Sequence, residues 1–167
     1  MMELRDLNAM SADSFVETLG GIFEHSPWVA RAVVDRRQFA DIEGLHAAMV
    51  QAVHEAGETA HLALIRAHPD LGTRLRLSES SVSEQASAGL DRLSPDEFAR
   101  FTDLNDRYRT RFGFPFIIAV RDHTRTQILE AFETRLENDG IAEVATALAQ
   151  IARIARIRLD QALAPGA

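Results

Sequence analysis

Cysteine is absent from this chain of 167 residues, and so is lysine: all 18 basic residues are arginine. Without cysteine there can be no disulfide, no thiolate metal ligand and no thiol nucleophile. Positive charge is in the minority, since 18 arginines face 25 Asp and Glu and leave a formal net charge of −7. Such a balance lacks the electropositive footprint that non-specific nucleic-acid or anionic-membrane binding needs, so neither partner is expected. No apolar run approaches the roughly 18 residues of a membrane span. The opening MMELRDLNAM has no basic region followed by an apolar stretch, and the closing ALAPGA carries no lipidation or peroxisomal signal. Also missing are a glycine-rich phosphate loop, a Gly-x-Ser-x-Gly elbow, and the His-Glu-x-x-His pairing of helical metal sites. What is left is the expectation of a soluble, cytoplasmic, single-domain protein spanning residues 1–167. Its length suffices to bury roughly two-thirds of the unfolded surface without a staple.

Apolar residues recur mainly at three- and four-residue spacing, the helical period. Start and stop signals predict about eight helices. Ser11 opens one that closes at Gly20-Gly21. A short one runs from about Pro27 to Arg36. Asp41 caps a third, with Leu45, Met49 and Val53 inward and Gly57 ending it. A fourth, from Glu58, stops before Pro69. Gly72 to Ser80 reads as a loop, and a short helix follows from about Ser81 to Gly89. Ser94-Pro95-Asp96-Glu97 is a strong start, combining cap serine, first-turn proline and a glutamate three residues on. Its helix runs to about Arg111, with Gly113 as the stop. Thr124 opens another to about Asn138, and the last runs from about Gly140 to Ala162. The expected fold is all-α, a bundle with one buried extended segment, Phe114 to Val120 (FPFIIAV). Pro115 suits the entry to such a segment. Its backbone donors and acceptors must find partners outside a sheet, or be offered to a ligand.

Arg158 is the most telling position. Seven residues after Ile151, it falls within about 20° of it around the helix axis, on the inward stripe. A guanidinium cannot lose its proton, so a buried one needs an anion. Two readings stay open: an ion pair with a core carboxylate, or a bound anionic ligand. His68 follows Ile65 by three and Leu64 by four, at the inner edge of its helix, with Pro69 forcing a turn. It is placed either to move a proton near neutral pH or simply to satisfy a core position. Glu84 fits a capping box with Ser81, or a functional role; Gln85 alone says little. His46, His54, His61 and His68 recur at seven or eight residues. Gly57 breaks the helix between His54 and His61, so the four do not line one helical face, and no metal site is expected.

Five segments together resemble one family. They are Phe15 to Trp28 (FVETLGGIFEHSPW), His68-Pro69-Asp70-Leu71-Gly72, Ser83 to Leu90 (SEQASAGL), Arg111 to Val120 (RFGFPFIIAV) and Ile151 to Leu159 (IARIARIRL). The family is 2-oxo-4-hydroxy-4-carboxy-5-ureidoimidazoline (OHCU) decarboxylase, which completes the conversion of urate to allantoin. The resemblance implies that His68 is the catalytic proton donor, that Glu84 and Gln85 contact the substrate, and that Arg158 binds it; Glu84 and Arg158 count with His68 as catalytic, and the final proton to carbon comes from His68 or Glu84. It also implies that Pro69, the backbone of Ser81, Val82 and Ser83, and the segment Phe116, Ile117, Ile118, Ala119 and Val120 line the same site. It further implies a homodimer with no cofactor, acting on a small ureidoimidazoline and releasing carbon dioxide and (S)-allantoin. Two rivals are a helical module that binds a ureide or nucleobase without turning it over, and a structural adaptor. A ring-opening ureide hydrolase would want a metal cluster to activate water, and the sequence pattern offers none.

Overall fold

A computed structural model of the chain describes residues 1–71, 83–86 and 88–165. They fall into two compact units, Met1–Ala67 with the chain from Ala152 onward, and His68–Ile151. In the first unit β1 (Met2–Glu3) leads into α1 (Leu4–Ala9) and α2 (Ala12–Leu19). α3 (Trp28–Val33) passes into a 3-10 turn at Val34–Arg36, and α4 (Ile42–Glu55) and α5 (Glu58–Arg66) follow. The second unit holds the helical residues 83–86, a 3-10 turn at Leu90–Arg92 and α6 (Pro95–Phe112). A further 3-10 turn at Val120–Asp122 precedes α7 (Arg125–Leu136). α8 (Gly140–Ala162) begins in the second unit, and its residues from Ala152 belong to the first. β2 (Leu163–Ala164) then pairs in parallel with β1, Met2 opposite Leu163 and Glu3 opposite Ala164.

The helix boundaries follow the predicted caps. Ser11 accepts from Ser14 N–H, and Asp41 accepts from Gly44 N–H at 2.7 Å. Ser94 and Glu97 form a complete capping box, as do Thr124 and Gln127, each side chain accepting the other residue's backbone N–H. Gly113 ends α6 at φ +76, a conformation that a side chain resists. α1 and the two-residue pairing of β1 with β2 were not predicted. So short a helix and so short a ladder leave no period to read. The predicted loop at 72–80 lies outside the described residues.

Apolar burial follows the helical stripes. Phe15, Leu19, Leu45, Met49, Leu64 and Ile65 are buried in the first unit; Phe101, Leu104, Ile128 and Phe132 in the second. The segment from Phe114 is non-helical and buried throughout, Pro115 included, and Val120 already opens the 3-10 turn. Among the described residues no helix is long and apolar enough to cross a membrane.

Candidate active site

His68, the first residue of the second unit, follows directly on the end of α5 and is 6 % exposed. Two residues of α6, four apart and so on one face, fix the chain that follows it. Asn105 donates its Nδ2–H to Leu71 O at 2.7 Å. Arg109 Nε lies 2.9 and 3.1 Å from the two oxygens of the buried Asp70. The His-Pro-Asp-Leu turn is thus anchored on both residues beyond Pro69, which narrows the positions open to His68.

Glu84 and Gln85 sit on the helical residues 83–86 and are both buried. Arg121, one residue past Val120, donates from Nη2 to Ser83 Oγ at 3.0 Å. That bond ties the stretch carrying Glu84 and Gln85 to the end of the buried segment. The predicted capping box at Glu84 needs Ser81, which, with Val82, lies outside the described residues.

Side chains of the second unit supply partners to part of the segment's backbone. Arg135 Nη1 donates to Ile117 O at 2.6 Å, and Gln150 Oε1 accepts from Ala119 N–H at 2.9 Å. His123 Nδ1 lies 2.8 Å from Ala119 O, an acceptor, so that nitrogen carries the proton. The peptides here are trans and planar, so Ile118 N–H points opposite to Ile117 O in its own peptide, and Ile118 C=O opposite to Ala119 N–H. The N–H and C=O of Ile118 face the other edge, and neither has a partner among the described residues.

Arg135 is itself held by a buried cluster. Its Nε lies 3.3 and 3.1 Å from the Glu143 oxygens, and its Nη2 is 3.0 Å from Oε2. Glu143, fully buried, also accepts from the Tyr108 hydroxyl and from Asn138 Nδ2 at 2.9 Å. Burial first, and the bond to Glu143 second, push the Tyr108 phenol well above its usual pKa of 10. The Arg135 guanidinium stands 4.2 Å from the centre of the Phe116 ring, which stacks on Phe132 at 3.7 Å. A cation over that face gains from the ring's quadrupole.

Arg158 lies in the first unit, buried as its phase predicts. Its Nη2 donates to Glu24 Oε2 at 2.7 Å, and Nη1 reaches the carbonyls of Gly21 and Ile22 at 3.2 and 3.3 Å. The core-carboxylate pairing, one of the two sequence readings, is therefore present, with both side chains almost fully covered (4 % and 1 % exposed). His25 next to it adopts φ +46 and sets its Nε2 3.5 Å from Glu24 Oε1. Two more histidines bond to backbone carbonyls: His46 to Ala152 O at 2.8 Å, His61 to Val53 O at 2.7 Å. Among the described residues no three His, Asp or Glu side chains group to hold a metal.

Residues 8–160 match the family model of OHCU decarboxylase. The chain belongs to the OHCU decarboxylase family. The family resemblance of the five segments therefore holds over nearly the whole length. A 2-oxo-4-hydroxy-4-carboxy-5-ureidoimidazoline decarboxylase of Haloferax volcanii is 44 % identical over 160 residues, 96 % of this chain and 95 % of that protein. One from Halalkalicoccus jeotgali is 43 % identical over 164 residues, 98 % of this chain and 93 % of that protein. Among solved structures, that of an (S)-allantoin synthase superposes with a TM-score of 0.80 at 33 % identity. The match covers 97 % of this chain and 54 % of that longer one.

Within this family member, Glu24, Arg135 and Glu143 escaped the sequence reading. Two of them carry the signal that found Arg158. Arg135 follows Ile128 by seven residues, and Glu143 precedes Ile154 by eleven, so each lies within about 20° of a buried apolar neighbour. Glu24 lies outside any helix and has no phase to test.

Proposed function

We propose that this chain catalyses the reaction its family is named for, the decarboxylation of OHCU to (S)-allantoin. The observation that carries the reading is near full-length identity with decarboxylases of that name. A buried histidine and a buried carboxylate at the motif positions, His68 and Glu84, support it.

The chemistry needs few protein groups. The substrate bears a carboxylate and a hydroxyl on one ring carbon, and the adjacent carbon is doubly bonded to nitrogen and carries the ureido group. When the carbon–carboxylate bond breaks, carbon dioxide leaves and the electron pair passes into that imine. The enol that remains takes one proton at the ureido-bearing carbon to become allantoin. Delivery from one face gives one enantiomer. The substrate is thus its own electron sink, and the protein's tasks are orientation and proton supply.

In this reading His68 polarises the substrate's hydroxyl or carboxylate and supplies a proton. Glu84 and Gln85 hold the urea-like N–H and C=O groups. The backbone of Phe116 to Val120 pairs with the flat ring as a strand would, and the edge of Ile118 offers one donor beside one acceptor. Pro69 and the backbone of Ser81, Val82 and Ser83 complete the contacts. Arg158 presents a planar fork to carbonyl or carboxylate oxygens. Its assignment rests on the family resemblance, since Glu24 already balances its charge. The two units serve as one functional domain, a reading supported by a family match that runs through both. A cytoplasmic homodimer without a cofactor completes the proposal.

The test is chiral. Urate is oxidised and hydrolysed by upstream enzymes, this protein is added, and circular dichroism is followed. Rapid growth of an optically active product is expected; slow formation of racemate would leave only a binding module.

A further inference from the structure

Where the buried segment meets its neighbours, polar side chains hold one edge. Ile117 O receives the Arg135 guanidinium and Ala119 N–H binds Gln150 Oε1, while His123 closes on Ala119 O. All three partners are side chains from the second unit, where a sheet would have supplied a neighbouring strand. Arg135 is in turn fixed by Glu143, which Tyr108 and Asn138 lock in place. A short run of chain with one edge fixed by side chains has its other edge fixed in direction as well, because the peptide planes are rigid. We propose that Gln150 and the Glu143-held Arg135 are positioning residues, which set the register of 117–119 and so aim the N–H and C=O of Ile118 at the substrate ring. The proposal rests on the reading of Phe116 to Val120 as a substrate-binding segment.

Gln150 gives the cleaner test, because it is only half-buried and its bond can be removed without stranding a charge. Gln150→Leu deletes the acceptor for Ala119 N–H; Gln150→Glu keeps it. Amide hydrogen exchange at residues 117–119 and steady-state decarboxylation are measured on both variants and on the wild type. In Gln150→Leu the Ala119 amide is expected to exchange faster. KM should rise about three- to tenfold, the worth of one net hydrogen bond, with kcat falling by less. Gln150→Glu should restore both. A merely structural role would lower the melting temperature of either variant without a KM change that the glutamate rescues. Unchanged exchange in Gln150→Leu overturns the proposal, as does faster exchange with wild-type KM. In both cases an active wild type leaves the decarboxylase reading standing. A wild type inactive on freshly generated substrate overturns that reading and this proposal together.

Discussion

His68 stands where a helix ends and a turn is bolted to α6 through Asp70 and Leu71. A side chain so anchored can be replaced without losing the turn, so His68→Asn should keep the helical circular-dichroism signal. Its decarboxylation rate should fall by at least about a hundredfold, the scale of a lost proton donor; turnover like the wild type's would remove His68 from the mechanism. Glu24 poses a question of stability. Glu24→Gln removes the charge that balances a buried guanidinium while the Gly21 and Ile22 carbonyls still hold Nη1. The expected loss is about 3 kcal/mol, read from the urea midpoint. A shift near zero would mean that the pair contributes little to folding. Arg158 was legible because a charge on an apolar stripe contradicts its surroundings. The same contradiction marks Arg135 and Glu143. What the sequence could not offer was the partner, since pairing across more than a hundred residues, as between Glu24 and Arg158, leaves no local trace. The choice between an ion pair and a ligand for Arg158 was open for that reason.

At the scale of elements, the caps carried most of the legible fold. Serine, proline and glutamate in fixed order before an apolar run are a local code, and α6 starts where they stand. Ser94→Ala breaks the box at its centre. It should cost about 1 kcal/mol in denaturant unfolding, with no change in slope. The box also holds the Glu97 carboxyl below its usual pKa of 4.5, first through the Ser94 backbone N–H. Its contribution is thus present above that value and fades as the pH drops through the depressed one. The buried segment was legible as an exception, an apolar stretch with proline at its entry inside a helical pattern. Its holders were not, because Gln150 and Arg135 reach it by side chain and from residues well separated in sequence. β1 and β2 show the lower limit of such reading: two residues each, brought together from the two ends of the chain.

For the molecule as a whole, Tyr108 sets an alkaline limit. Its phenol keeps its proton in the folded state beyond the ordinary value of 10, while the unfolded chain gives it up there. The stabilising contribution is therefore complete below about pH 10 and is lost as pH rises toward the folded-state value. The urea midpoint should decline above that point, and less steeply in Tyr108→Phe; equal slopes would acquit the phenol. The same residue has an optical consequence. This chain has a single tyrosine and a single tryptophan, and they fall in different units, Tyr108 in the second and Trp28 in the first. Indole fluorescence therefore watches one unit, while phenolate absorbance in mild alkali watches the other. With no label attached, the two colours can be followed through one unfolding experiment, and whether their transitions coincide reveals whether the halves melt together.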